Sequence, residues 1–600
     1  MTNDGRGDVE PDQPLEPAGA AGEAPETETE IGNEEIETEA DIETETEPAP
    51  DAEEPRRSAG AALLRGLTGV LVVGLTVGVA YGADLLEPEA TTAAPATTVE
   101  LVPATTPVVC AGPTQLVATD AEGDPAFDPS PVGTTSLVTG AVLPPTKVAD
   151  PVLRTLDEAT VEAPVAAGAG GAVLGAAVAS GTALWSVPAA DGTVHTAATA
   201  SSATAAGDLR GLAATACQSP AIDHWLVAGS TEVGSSTRLV VQNPSRTPAT
   251  VEVEVYGPAG RVDLAGPAVL PVPAGGTTTT LLEGVAAGQR RVAVHVRASG
   301  ALVTSYLQVS ALDGVRPLGV DLVGAGAEPS TRQVLAGVVT PATAVGTDGP
   351  VVRLLAPERA ATARLAIYGP SGRVLLPGAD DAVLEAGAVT DVSLAGLPAG
   401  AYDVLVEADA PVVAAATTST AGTDGSDVAT VVSQDPATTA AQSAAALPQG
   451  TRATVVLGAV PGSVDSVPGA LVAGLDATTP PVAPEGASAA AGVRAQVVAL
   501  DRAGAVVYDQ VVELAAGTTR ALPLAATVPG ASVAAVVVRE VDAAGTPAAG
   551  AATRLVWSVR LSADAQDGTV DGLVAALGPS PLRSAGTQIT LREGLRSGLD

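Results

Sequence analysis

The sequence is poor in aromatic side chains and in lysine. Aromatic residues make up 2% of the 600 residues although hydrophobic residues reach 46%, and Lys147 is the one lysine among 29 basic residues. The apolar content is therefore nearly all Ala, Val and Leu, and cores built from small or β-branched side chains suit strands. Together with abundant Ala, Gly and Pro, this composition is typical of a bacterium with a GC-rich genome.

Basic charge is scarce, and the formal net charge is −39. A protein that binds nucleic acid needs a basic face to release counterions from the phosphates, so we predict no nucleic-acid partner. Acidic residues are concentrated in residues 1–60, where the few large apolar side chains cannot offset the entropy cost of ordering the chain. We predict that residues 1–60 form a disordered tail.

One apolar run is long enough to cross a membrane. The stretch from Leu67 to Ala83 has no charge, and with Leu63 and Leu64 it supplies about the 20 residues that a bilayer span requires. The acidic stretch before it and the lack of a small-residue cleavage site after it favour an uncleaved anchor over a signal peptide. We predict a single transmembrane helix over 61–84.

The charges that flank this run predict its orientation. Three arginines precede or begin it and three carboxylates follow it, so the positive-inside rule places the N-terminus in the cytoplasm and the C-terminal region outside the cell. Residues 85–108 are rich in Pro, Thr and Ala, which is typical of an extended linker.

Cysteine is limited to Cys110 and Cys217. Both follow the predicted span, on the oxidising side of the membrane, so we predict a disulfide between them. A redox or nucleophilic role for either thiol would need a CxxC partner or an adjacent base, and the sequence offers neither.

The region 218–565 carries short alternating strands separated by Gly and Pro. Residues 251–255 alternate Val with Glu and lead into YGPAGRV, which begins at Tyr256; a second copy, YGPSGRV, begins at Tyr368. A weaker third copy replaces this turn with Asp501–Gly504. The repeated hydrophobic pattern predicts a mainly β fold of tandem immunoglobulin-like antiparallel β-sandwich units over 218–330, 331–425 and 426–565.

The flanks of these units are less regular. We predict a β-rich extracellular region over 109–217 that the disulfide closes, although its Ala-rich runs are compatible with strands or with short helices. Residues 566–600 are predicted to be a loosely attached C-terminal tail. Tyr256 and Tyr368 are predicted to be packing residues beside equivalent hairpins.

The segment from Cys217 to Gly260 resembles a family of actinobacterial envelope proteins of unknown function, the domain-of-unknown-function family numbered 5719. The matching positions are Cys217, Pro220, Asp223 with Trp225, Gly229, Asn243-Pro244 and Tyr256 to Gly260. The phrases that begin at Arg316, Glu407 and Cys110 are also similar to the family pattern, except that Ala111 replaces the expected proline. The resemblance implies a secreted or anchored envelope protein with no assigned activity or catalytic residues.

Histidine is limited to His195, His224 and His295. We predict that Trp225 anchors the core beside the disulfide and that His224 faces water, because no nucleophile elbow accompanies them. His295 shares a strand face with Arg291 and Arg297. That face is either simply solvated or an anion-binding patch for an acidic envelope polymer.

Other chemistries lack their motifs. No HxxxH or CxxC pair is present for zinc, and no Gly-rich phosphate loop contains Lys147. We therefore predict no catalytic residues, no metal and no cofactor. The two carboxylates of a glycosidase active site can be distant in the chain and leave no local motif, so the sequence is also compatible with such a pair.

Three functions follow from these patterns. The leading hypothesis is a non-enzymatic, single-pass envelope protein whose β-sandwich units contact a protein or a glycan, in a role such as cell-surface polysaccharide assembly. The alternatives are an enzyme or accessory factor acting on polysaccharide, and a wall sensor that signals through its acidic cytoplasmic tail.

Overall fold

The computed structural model is mainly β and describes most residues after position 96. The described ranges are 97–101, 105–116, 133–143, 151–156, 159–161, 165–168, 170–178, 181–188, 195–341, 349–436, 442–467, 469–471, 491–546, 552–563, 572–581 and 587–591. The predicted acidic tail and the predicted span at 61–84 lie outside these ranges. Within them, no helix has the length and apolar character that a membrane crossing requires.

Strands fill four successive modules, which follow a first strand, β1 (Thr97–Leu101). The first module contains β2 (Thr105–Cys110), β3 (Thr134–Leu143), β4 (Val152–Thr155), β5 (Val165–Gly168), β6 (Gly171–Ala177), β7 (Ala183–Pro188), β8 (His195–Thr204) and β9 (Gly211–Ala216). The second module contains β10 (Asp223–Val227), β11 (Ser235–Gln242), β12 (Ala249–Gly257), β13 (Gly260–Val262), β14 (Val269–Val272), β15 (Thr277–Leu281), the short helix α1 (Leu282–Val285), β16 (Ala293–Ser299), β17 (Thr304–Asp313) and β18 (Arg316–Gly324).

The third and fourth modules continue the series. The third contains β19 (Ser330–Thr340), β20 (Val351–Leu355), β21 (Ala361–Gly369), β22 (Gly372–Leu375), β23 (Asp381–Leu384), β24 (Val389–Ser393), β25 (Gly400–Gly422) and β26 (Gly425–Val432). The fourth contains β27 (Ser443–Ala446), β28 (Arg452–Pro461), β29 (Gly469–Leu471), β30 (Val493–Asp501), β31 (Val506–Leu514), β32 (Thr519–Pro523), the short helix α2 (Leu524–Thr527), β33 (Val533–Glu540), β34 (Thr553–Ala563), β35 (Leu573–Leu577) and β36 (Ser580–Pro581). A last strand, β37 (Thr587–Leu591), pairs with β1.

The four modules share the topology of their central strands, to which β5 is added at a sheet edge in the first module and β36 in the fourth. In the second module the two sheets have the strand orders β10-β16-β12-β13 and β15-β11-β17-β18. The fourth module repeats them as β27-β33-β30-β31 and β32-β28-β34-β35, and the third uses its long strand β25 in both sheets, where the second module has β16 and β17. The first module follows with β2-β7-β4 and β6-β3-β8-β9. The predicted mainly β, antiparallel fold is confirmed, and the structure contains four copies of the repeat where the sequence pattern indicated three.

The fourth copy revises several predicted boundaries. The Ala-rich run in the first module forms the strand β6, so the strand alternative for that run is correct. Residues 566–600 contain β35, whose Leu573 and Leu577 are buried, and the predicted linker over 85–108 contains β1 and the start of β2. The predicted boundary at 425/426 falls within β26, the last strand of the third module. The prediction of a loosely attached tail from 566 is therefore wrong for β35. This short strand is apolar throughout and shows no alternation that would have identified it in the sequence.

Small apolar side chains fill the space between the two sheets of each module. In β12 the residues Val251, Val253 and Val255 are buried and belong to the core of the second module, as the alternation predicted. The first module is closed by the disulfide between Cys110 and Cys217, which joins the end of β2 to the residue after β9. The predicted pairing is confirmed.

The four modules form a closed ring. The inner strands β9, β18, β26 and β35 pack each against the next, and β35 packs against β9. The outer face of one sheet in each module also packs on the following module: Trp225, Tyr256 and Ala293 of the second module contact Leu355 and Val413 of the third. Equivalent clusters join the third module to the fourth and the fourth to the first.

One buried carboxylate connects all four inner strands. Asp427 of β26 accepts hydrogen bonds from the backbone N–H groups of Leu212 and Val574, each at 2.8 Å, and from those of Val320 and Val428 at 3.4 and 2.9 Å. These four donors belong to β9, β35, β18 and β26. Asp427 therefore lies at the centre of the ring and satisfies one backbone donor from every module.

The repeated heptad forms equivalent hairpins in the second and third modules. Gly257 pairs with Gly260 across one two-residue loop, and Gly369 pairs with Gly372 across the other. Gly260 and Gly372 have φ angles of 118° and 119°, which only glycine adopts without strain. The preceding tyrosines, Tyr256 and Tyr368, are buried against the next module, so they pack as predicted, between modules rather than within one.

We expect Gly372→Ala to lower the free energy of unfolding by about 1–2 kcal/mol, because a Cβ is strained at this φ angle. The control is Ser371→Ala in the same exposed loop, which should change it by less than about 0.5 kcal/mol. Chemical denaturation followed by intrinsic fluorescence measures both. Equal effects of the two variants would show that the turn geometry is not what the repeat preserves.

We expect Asp427→Ala to cost at least about 3 kcal/mol, because it leaves several buried N–H groups without acceptors. Asp424→Ala, in the exposed turn just before β26, is the matched control and should be nearly neutral. Calorimetry on both variants tests this, and a single unchanged transition for Asp427→Ala would contradict a central role for this carboxylate.

Candidate functional site

A cavity opens at one end of the ring axis. Its volume is about 810 Å³, and it is lined by the carboxyl ends of β9, β18, β26 and β35 together with the segments that follow them. The cavity exists because these four strands run in the same direction around the axis, so that their carboxyl ends meet at the same end of the ring. We call it the axial cavity.

Two carboxyl groups, those of Asp321 and Asp427, are buried among the inner strands. Asp321 of β18 accepts hydrogen bonds from the backbone N–H groups of Thr430 and Leu322 at 2.7 and 2.8 Å. Burial raises the pKa of Asp321 to about 7 and that of Asp427 well above its ordinary value, although the N–H donors oppose both shifts. A Cβ at position 319 would collide with the backbone at Val428. Because Gly319 has no side chain, β18 and β26 can approach closely.

Polar groups of the axial cavity are held by contacts between modules. Gln218, just after β9, donates from Nε2 to the carbonyl of Ala325 at 3.3 Å, and Ser433 Oγ accepts from the N–H of Ala327 at 3.2 Å. Gln434 donates from Nε2 to the carbonyl of Trp557 at 3.0 Å. The lining is thus fixed by the closed ring rather than by any one module.

His224 lines the cavity but does not face water, so that prediction is wrong. The ring is buried and donates from Nε2 to the carbonyl of Val303 at 3.0 Å. Burial lowers the pKa of His224 below its ordinary value. The neighbouring Trp225 is buried as predicted, but it packs between the second and third modules, and the tryptophan that packs in the cluster of the disulfide is Trp185.

His295 lies between two carboxylates. Its Nε2 is 3.1 Å from both oxygens of Asp223, its Nδ1 is 3.3 Å from Glu254 Oε2, and its ring stacks on Trp225 at a centroid distance of 4.0 Å. Burial raises the pKa of Glu254, but the hydrogen bonds from Tyr256 and His295 and the charge of Arg261 outweigh it, and the pKa lies below its ordinary value.

The structure does not gather the three predicted basic residues into one open patch. Arg297 is paired with Asp223 and Glu252 at 3.9 and 3.6 Å, whereas Arg291 reaches Asp391 of the third module at 3.9 Å. His295 is buried, so the solvated-face alternative is wrong for this residue. Anion binding at this position stays a prediction, and the paired carboxylates work against it. The alternation of β16 revealed the strand, but it could not show that Asp223, Glu254 and Trp225 of the same module enclose His295.

A further carboxyl group, that of Asp403, is buried where the third module meets the fourth. Asp403 accepts a hydrogen bond from the N–H of Gly337 at 2.9 Å and another from the hydroxyl of Thr519 in β32. Burial raises the pKa of Asp403 to about 7. Among the described residues, no group of three or more His, Cys, Asp or Glu side chains could hold a metal ion.

We expect Asp403 to make stability depend on pH. Since its pKa is about 7 in the fold and near 3.8 in the unfolded chain, the folded state retains a proton that the unfolded chain loses. Its contribution is complete below pH 3.8 and is lost as the pH rises through 7, by up to about 1.4 kcal/mol per pH unit. Asp403→Asn removes this dependence.

Thermal unfolding at several pH values between 5 and 8 measures this effect as the difference between the wild type and Asp403→Asn. The control is Asp465→Asn, because the exposed Asp465 has a pKa lowered by its hydrogen bond to Arg364 and does not titrate in that range. Parallel curves for the wild type and Asp403→Asn would refute the assignment.

A family model described as a family of unknown function, DUF5719, matches residues 172–525. The match begins in β6 of the first module and ends in α2 of the fourth, so it includes part or all of every module. No curated protein and no solved structure matches the chain. The match covers more than half of the 600 residues and confirms the resemblance seen around Cys217: the chain belongs to the DUF5719 family.

Proposed function

We propose that this protein is a non-enzymatic binding protein of the cell envelope, which holds a protein or glycan ligand in the axial cavity. The observation that carries the proposal is the cavity itself, to which the ends of all four inner strands contribute. A site built by four modules is available only in the closed ring, so ring closure and ligand binding depend on the same contacts. This pre-organisation lowers the entropy cost of binding.

The geometry of the histidines favours binding over catalysis. A general base needs a free ring nitrogen within reach of a substrate proton. Both nitrogens of His295 face carboxylates, and His224 Nε2 donates to a backbone carbonyl. The buried Asp321 and Asp427 engage backbone donors. An enzyme that acts on polysaccharide is therefore the weaker proposal.

The location in the envelope is also a proposal. The apolar run at 61–84, the acidic residues before it and the disulfide support a single-pass protein with its ring outside the cell, where disulfides form. In this arrangement the four modules lie outside the cell. The axial cavity would then face envelope polymers or partner proteins.

Blocking the axial cavity tests the proposal. Ser219 lines the cavity and is partly exposed, so we expect Ser219→Trp to obstruct part of it without entering a core. Crosslinking and affinity capture of the full chain from its own cells should recover specific partners with the wild type and lose them with Ser219→Trp. Ser371→Trp, in an exposed turn that does not line the cavity, should behave as the wild type does.

Recovery of the same partners with the wild type, Ser219→Trp and Ser371→Trp, at equal thermal stability, would contradict binding in the axial cavity. A Ser219→Trp chain that unfolds at a lower temperature is replaced by Ser219→Gln, which adds less volume. With that variant we expect a partial loss of capture.

A further inference from the structure

The charged groups that line the axial cavity are mainly negative. Glu328 and Asp435 line it together with Asp223, which is paired with His295 and Arg297, and Arg332 is the one arginine or lysine among the described lining residues. Arg332 donates from Nη2 to the carbonyl of Pro461 at 2.6 Å, which holds its guanidinium against the fourth module. Because the whole chain is also strongly acidic, a cationic ligand would be attracted towards this opening.

A buried hydrogen-bond acceptor in the cavity lacks a partner. Gln434 is 8% exposed, and its Oε1 has no hydrogen bond with any described residue. The amide nitrogen Nε2 donates to the carbonyl of Trp557 at 3.0 Å, which leaves Oε1 as the amide atom without a partner. A buried acceptor without a donor costs free energy, so this oxygen favours a ligand that brings an N–H group.

The rest of the lining suits an aliphatic stem rather than a sugar ring. Val323, Val432, Ala576 and Pro579 line the cavity beside the acceptors. Sugar-binding sites that use aromatic platforms need an exposed ring, and all three tryptophans of the chain are buried. Lys and Arg side chains combine an apolar stem with a head group that only donates hydrogen bonds.

We infer that the axial cavity binds a basic peptide segment, and that a lysine or arginine side chain of this segment enters the ring axis. The stem packs on the apolar lining, and the head group lies among the carboxylates and Gln434 Oε1. The inference rests on the proposed binding function and names the chemistry of its ligand.

The full chain, purified in detergent, is titrated against a fluorescent, end-capped peptide of four Gly-Arg repeats. The variant Glu328→Gln/Asp435→Asn removes two charges from the lining, and Glu358→Gln/Glu385→Gln removes two exposed charges from the third module outside it. We expect the first pair to raise Kd about tenfold and to flatten its salt dependence. The second pair should change Kd by less than about twofold, since the acidic tail is the same in both chains.

Two further comparisons sharpen the result. We expect Gln434→Leu to raise Kd several-fold at a temperature at which the variant remains folded, and a Gly-Gln peptide to bind more weakly than Gly-Arg. Equal Kd values for the two charge pairs would overturn the inference. Tighter binding of a glucosamine oligomer than of the Gly-Arg peptide would also overturn it, because the cavity would then recognise amino sugars.

The inference and the proposed function can fail separately. If Ser219→Trp abolishes capture of cellular partners while the lining charges leave peptide affinity unchanged, only the basic peptide is wrong. If Ser219→Trp changes neither capture nor peptide binding, the binding function of the axial cavity is wrong as well.

Discussion

The hydrogen bonds that the carboxyl group of Asp427 accepts are the interaction on which the rest of the structure depends. This group accepts backbone donors from β9, β18, β26 and β35, and no other described side chain contacts an inner strand of every module by a hydrogen bond. The strands can approach it because glycines stand at Gly211 and Gly319, where a Cβ would meet the carboxylate or its backbone. One buried group thus joins modules that are distant in the sequence, and it does so directly below the axial cavity.

Farther from this axis, different side chains join the modules at each successive interface. The second and third modules meet through Trp225 and Tyr256, and the third and fourth through Tyr368 and the buried Asp403. The fourth module meets the first through small residues such as Ala444 and Ala197. Each interface therefore buries a sheet face that an isolated β-sandwich would expose to water, and polar residues on those faces must find partners across the interface.

This packing explains why the functional surface differs from what strand patterns suggest. Alternation identifies one apolar and one polar face, and in a single β-sandwich the polar face is solvated. In this ring Ala293 of β16 packs against the third module, and His295 on the same strand is buried between Asp223 and Glu254 of its own module. The surface that we propose for a ligand is the axial cavity, whose lining combines the ends of strands with the segments that follow them.

The sequence by itself determined the local structure: the antiparallel strands, the hairpins after Tyr256 and Tyr368, the repeat and the pairing of Cys110 with Cys217 depend on period, turn chemistry and the number of cysteines. Only the tertiary structure decided that the repeat occurs four times, that the copies close into a ring, and that Asp427 accepts a backbone hydrogen bond from every module. The reason is physical. Ring closure depends on contacts between residues more than 200 positions apart, such as Leu212 with Asp427, and such contacts leave no periodic signal in the chain.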